Sequence, residues 1–132
     1  QEVVTVGSGT VALQLALMTV GVRPGDEVVV PSFTFCASIQ AILAIQARPV
    51  FIDNAPGSLA LDPDDVLRSV TPRTRAIMPV HYGGRHINLD HILPEDWRED
   101  RHEEISEDDI DPDQDEPGAA PARDGASVVT RG

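Results

Sequence analysis

The chain has no lysine: all ten of its basic residues are arginine. A side-chain primary amine is therefore missing, and with it any chemistry in which such an amine captures a carbonyl group. Arginine is no substitute, because its guanidinium stays protonated. Cysteine is nearly absent too. The single Cys36 excludes an internal disulfide and a cysteine-rich metal site. No apolar run approaches the roughly 20 residues that a bilayer-spanning helix needs. No charged-then-apolar leader opens the chain, so a cytoplasmic setting with no membrane partner is the expectation. The first residues, beginning at Gln1, read as the inside of a strand, so the chain is expected to be a fragment.

Positive charge is scarce and unevenly placed. The formal net charge is −12 over 132 residues. Residues 1–93 carry 8 acids and 6 bases, whereas residues 94–132 carry 14 acids and 4 bases. A surface this acidic argues against nucleic acid as a partner, since it cannot neutralise phosphates, and against anionic membranes. The change near Pro94 divides the chain into a domain, 1–93, and an acidic tail, 94–132, read as disordered because it holds no sustained apolar period. The run Asp111-Pro112-Asp113-Gln114-Asp115 lacks the Gly and terminal Glu of a calcium loop, and no metal site is assigned.

Between residues 3 and 93 strands and helices alternate. Val3–Val6 reads as the end of a strand, and Thr10–Val20 as a helix with Leu13, Leu17 and Val20 on one face and Gly21 as its stop. Glu27–Val30 reads as a strand ended by Pro31, followed by a helix Ile39–Ala47 capped by Ser38. Pro49–Asp53 is the next strand. Asp62-Pro63-Asp64-Asp65 opens a helix through Val70, with a capping Asp, Pro at the first position and acids in the first turn. Arg75–Val80 is a further strand, and Leu89, Ile92 and Leu93 start another helix that stops at Pro94. Strands apolar on both faces, alternating with helices, predict an α/β fold: a three-layer parallel sheet with flanking helices. Ligands in such sheets collect at the carboxyl ends of the strands. Here those ends are Gly7–Thr10, Ser32–Phe35, Asp53 and His81–Arg85.

Val6-Gly7-Ser8-Gly9-Thr10-Val11 is the stretch that points to a ligand. A strand, a Gly/Ser turn and a helix start leave backbone N–H groups free, and the helix dipole favours an anion there. Gly9, Thr10 and Val11 are thus candidates for holding a phosphate, with an ordinary strand-to-helix turn as the alternative. The letters also fit the dinucleotide fingerprint G-x-G-x-x-A, but Asp26 and Glu27 stand before the second strand rather than after it. A dinucleotide-binding domain stays as a weaker alternative. His81 is a residue able to titrate near neutrality, or one that shapes its loop by hydrogen bonding.

Six blocks, in order and with fitting gaps, resemble the DegT/DnrJ/EryC1/StrS sugar aminotransferases. They are Gly7-Ser8-Gly9-Thr10-Val11-Ala12-Leu13, Pro24-Gly25-Asp26-Glu27-Val28, Pro31-Ser32-Phe33-Thr34-Phe35, Arg48-Pro49-Val50-Phe51-Ile52-Asp53, Thr71-Pro72-Arg73-Thr74-Arg75-Ala76-Ile77 and Pro79-Val80-His81-Tyr82-Gly83-Gly84. The resemblance covers residues 3–93. It implies the large domain of the type I fold of pyridoxal 5'-phosphate enzymes. It implies too that Gly9, Thr10 and Val11 cradle the cofactor phosphate, that Phe35 stacks on the pyridine ring, and that His81 and Tyr82 line the active-site side of the sheet. Asp53 would anchor a loop. The implied reaction moves an amino group from an amino-acid donor to a nucleotide-linked keto-sugar, in amino-sugar or polysaccharide biosynthesis, and the full-length family is implied to be homodimeric. The family also needs an Asp at the pyridine nitrogen and a Lys that holds the cofactor covalently. The resemblance ends after Leu93, before either, so no catalytic residue is assigned and the chain alone is expected to be inactive. The alternative from another class is a non-catalytic remnant or binding module that pairs with a full-length relative.

Overall fold

The computed structural model describes residues 3–85, 87–88, 92–94, 97, 125–126 and 128–130. Its centre is β1 (Glu27–Pro31), flanked in parallel by β2 (Arg48–Ile52) on one side and β3 (Thr74–Ile77) on the other. All five residues of β1 are buried. Alternate side chains of a strand point to opposite faces, and the two faces of this sheet carry separate cores. Val28 and Val30, with Ala76 and Met78, pack against Leu17 of α1 (Gly9–Thr19) and Ala41 and Ile42 of α2 (Cys36–Ala44). Val29 and Ile77 face the other way, onto Val66 of α3 (Pro63–Ser69), Leu61, Ile87, Ile92, Leu93 and Trp97. This is why β1 reads Val-Val-Val rather than alternating: each face is covered. Burying each of those valines is worth about 2 kcal/mol.

The helix ends follow local chemistry. Ser8 caps α1, its Oγ accepting from the Val11 N–H at 3.3 Å, and Gly21 leaves the helix with φ 82°. Asp62 caps α3 by accepting from the Asp64 N–H at 2.9 Å, with Pro63 at the first position, as its sequence predicts. Ser38, expected as the cap of the second helix, instead lies inside α2. It is buried, and its hydroxyl pairs with that of Thr34 at 2.9 Å. Phe35 occupies the cap position without a side-chain bond.

Two other expectations are corrected. Residues 3–6 form no strand, and Val3 and Val4 are 84% and 80% exposed. A β-strand needs a partner for its N–H and C=O groups, and none of the described strands flanks this segment. The strand expected over Arg75–Val80 is two pieces, β3 and β4 (Val80–His81), separated at Pro79, which has no N–H to give a ladder. Beyond residue 94, Trp97 is 1% exposed in the second core, and two short strands, β5 (Gly125–Ala126) and β6 (Val129–Thr130), pair antiparallel with β4 and β3. Hydrogen-bonding edges left by β3 and β4 supply the reason, since pairing there depends on backbone groups rather than on an apolar period. Most of the acidic run, and residues 89–91 of the expected last helix, lie outside the described residues.

At the amino end of the sheet Glu27 ties three strands together. Its buried carboxylate accepts from Thr71 Oγ1 at 2.6 Å and from Arg73 Nη2 at 2.8 Å, with Arg48 Nη1 at 3.9 Å. The Thr71 hydroxyl, then the Arg73 and Arg48 guanidinium groups, hold it below its ordinary value of 4.5 against the opposing effect of burial. A depressed carboxyl pKa contributes stability that is present above its unfolded value and is lost as pH falls through the folded one. Glu27→Gln should therefore cost about 2 kcal/mol at pH 7, the scale of a charged hydrogen bond. Urea titrations should show the gap to the parent chain narrowing as pH drops through 4.5 and below. A gap constant across that window would dismiss the role of the charge.

Candidate functional site

The opposite, carboxyl end of the sheet opens into a cleft of about 680 Å³. Three segments wall it: the start of α1 (Gly9, Thr10), the loop after β1 (Phe33, Thr34, Phe35), and the end of β4 with the turn that follows (Val80, Tyr82). Crossover connections bring them together, because the loop that leaves β1 and the segment that leaves β3 emerge at the same edge. Phe35 is 76% exposed, a large apolar surface left in water at the rim. Phe33 and Tyr82 meet with ring centroids 5.0 Å apart and planes tilted by 41°. The cleft thus has flat apolar walls and one polar corner.

That corner is the first turn of α1. The opening N–H groups of a helix have no partner within it. The Val11 N–H is taken by Ser8 Oγ and the Ala12 N–H by the Ser8 carbonyl at 3.0 Å. Among the described residues nothing pairs with the N–H groups of Gly9 and Thr10, and both residues line the cleft; Val11 does not. The expected trio is in this respect a pair. Gly9 has a second property. A Cβ built on it meets nothing within 4 Å, so the packing of the chain does not call for glycine there.

His81 stands apart from the cleft lining. Its Nδ1 accepts from the Ile87 N–H at 3.2 Å, which ties Ile87 back to the end of β4. Asp53 also organises a loop: its carboxylate accepts from Ser32 Oγ at 3.3 Å and its N–H donates to Asp65 Oδ2 at 2.9 Å. That last bond and the neighbouring Arg68 hold the Asp65 carboxyl below its ordinary value. Thr34 falls in the strand-end stretch Ser32–Phe35, but sequence reasoning misses Ser38 as a cleft residue. The signal is the pair of hydroxyls of Thr34 and Ser38, four residues apart across a helix start, of which Ser38 alone reads as a cap.

A cleft with two free N–H donors at a helix start and aromatic walls suits a flat ring that bears a phosphate. Comparison with known proteins points the same way. The profile of the DegT/DnrJ/EryC1/StrS aminotransferase family matches residues 1–95. GDP-perosamine synthase of Caulobacter vibrioides is 44% identical over 93 residues, which are 70% of this chain and 25% of that protein. The dTDP-4-dehydro-2,3,6-trideoxy-D-glucose 4-aminotransferase of Saccharopolyspora spinosa is 46% identical over 84 residues, 64% of this chain and 22% of that one. Among solved structures, NtdA of Bacillus subtilis with its bound cofactor PMP superposes with a TM-score of 0.62 at 40% identity, over 64% of this chain and 20% of that chain. The chain spans about a quarter of the length of the curated relatives it matches. Its sheet and helices are part of the α/β fold of pyridoxal-phosphate-dependent aminotransferases, and the chain belongs to the DegT/DnrJ/EryC1/StrS aminotransferase family.

Proposed function

We propose that residues 1–93 form the cofactor-phosphate part of the large domain of an aminotransferase that acts on nucleotide-linked keto-sugars. The observation that carries this reading is the pair of unpaired donors, Gly9 and Thr10, in a cleft walled by Phe35 and Tyr82. Pyridoxal 5'-phosphate, when bound in such enzymes, carries the amino group and stabilises the negative charge that develops next to it. In this chain Gly9 and Thr10 would donate to its phosphate, with the dipole of α1 adding a favourable field. Phe35 would cover one face of the ring, and the exposed area it now presents to water would be buried. Phe33 and Tyr82 would exclude water from the side, while Thr34 and Ser38 supply a hydroxyl pair at the inner wall.

Holding the phosphate is separable from chemistry, and on this proposal the 132-residue chain does the first without the second because it has no lysine. Phosphorus NMR should show pyridoxal 5'-phosphate binding at least about tenfold more tightly than the phosphate-free pyridoxal gives by absorbance. Gly9→Ala should weaken cofactor binding by about tenfold and leave thermal stability equal or slightly higher, since alanine suits a helix better and its Cβ enters open space. Equal affinities for pyridoxal and its phosphate would sink the assignment of this corner.

A further inference from the structure

Phe35 breaks two local rules at once. It holds the cap position of α2, where a Ser, Thr, Asn or Asp side chain ordinarily accepts from the first-turn N–H groups, and it makes no such bond. Its ring also stays in water at the rim of the cleft. Among the described residues the one ring pair is Phe33 with Tyr82, so no other ring steadies that of Phe35. What is fixed at Phe35 is its backbone. Ser38, three residues on, donates its N–H to the Phe35 carbonyl at 3.1 Å. The Ser38 hydroxyl meets that of Thr34, the residue before Phe35, at 2.9 Å. A single residue thus grips Phe35 from both sides. Ser38 is only 4% exposed, and a hydroxyl so buried is costly to leave without its partner, so the grip resists opening.

We infer that Ser38 is a positioning residue: through Thr34 and the Phe35 carbonyl it holds the Phe35 ring at the mouth of the cleft, placed to cover a bound pyridine. This rests on the proposed use of the cleft, and it gives Ser38 no contact of its own with the cofactor. A ring already held in place loses less freedom when a ligand arrives, which is the gain that the buried hydroxyl pair supplies.

The test uses the whole chain labelled with para-fluorophenylalanine, with pyridoxal 5'-phosphate and inorganic phosphate titrated by phosphorus NMR. Ser38→Ala should weaken pyridoxal 5'-phosphate by about fivefold, the scale of one hydrogen bond. Inorganic phosphate affinity should not change, because Gly9 and Thr10 hold that group. Thr34→Val removes the other hydroxyl at nearly constant shape and should reproduce the loss, whereas Thr34→Ser keeps it and should bind as the parent does. Thr34 is only half-buried, so this pair carries the test even where Ser38→Ala folds poorly. In a Phe35→Leu chain, Ser38→Ala should cost no further affinity. Phe35→Leu also assigns the Phe35 fluorine signal among the three phenylalanines. That signal should be single in the parent and shifted or broadened in Ser38→Ala and Thr34→Val. A loss that persists in the Phe35→Leu chain would mean that the hydroxyl touches the cofactor directly, and would overturn the inference. So would an equal loss of inorganic phosphate, or a fluorine signal unmoved by both variants. Failure of the parent to prefer pyridoxal 5'-phosphate over pyridoxal, with the fluorine signal still dependent on Ser38, would instead sink the reading of the cleft and leave the grip on Phe35 standing.

Discussion

Trp97→Ala is expected to cost about 4 kcal/mol, the range for removing a large aromatic side chain from a packed core. For a chain of 132 residues that is a large share of its whole stability. The side chain is 1% exposed and sits among Val29, Ile52, Leu61, Val66 and Ile77, so its loss would empty the core on the α3 face of the sheet. Among the described residues its indole N–H has no hydrogen-bond partner. Trp97→Phe should therefore be much milder than Trp97→Ala: it leaves a smaller cavity and removes a donor whose burial is itself unfavourable. Because Trp97 is the one tryptophan, its emission gives an independent reading. The native chain should emit at short wavelength and shift to the red on unfolding. Emission typical of a wet indole in the native chain, or a Trp97→Ala midpoint within 0.5 kcal/mol of the parent by circular dichroism (about the scale of an ordinary surface change), would remove the residue from the core.

The second large effect is a loss of chemistry rather than of stability. On our proposal, the 132-residue chain mixed with pyridoxal 5'-phosphate and then borohydride should carry no stoichiometric adduct on any side chain. The amino terminus is the only amine left to react, and it would do so slowly and without selectivity. Conversion of an amino-acid donor and a keto-sugar should stay at the rate of free cofactor, because no side chain is able both to hold the cofactor covalently and to move the proton. Peptide mapping by mass spectrometry after reduction checks the first statement, and chromatography of the sugar product checks the second. A one-to-one adduct within residues 2–132, or turnover well above free cofactor, would show that another group takes the place of lysine.

Elements whose signals are local could be read from the sequence. The Asp62-Pro63 start of α3, the apolar run of β1 and the glycine after α1 each rest on neighbouring residues alone, and each is where the sequence puts it. Features that depend on distant partners were harder to see. Val3–Val6 has strand-like letters but none of the described strands beside it. Ser38 has the chemistry of a cap, yet the hydroxyl of Thr34 claims it. Trp97 sits past the change in charge, in a stretch whose composition alone says solvated, and joins the core through contacts with residues more than 25 positions earlier, such as Val66. The cleft followed the same division. Its position at the strand ends could be read from topology, whereas the withdrawal of the Val11 N–H depends on one side-chain rotamer of Ser8.

The antiparallel pairing of β6 with β3 has a kinetic consequence. Its partners Ala76 and Thr130 are 54 positions apart in the chain, and the ladder between them is two residue pairs long. Closing so long a loop carries an entropic penalty that grows only with the logarithm of its length, but two residue pairs return little against it. In a native-state exchange experiment this ladder should open well before the β1–β2 ladder, whose five residue pairs are joined by one crossover. Each opening uncovers a row of unpaired N–H and C=O groups on β3, the surface through which sheets of separate molecules join.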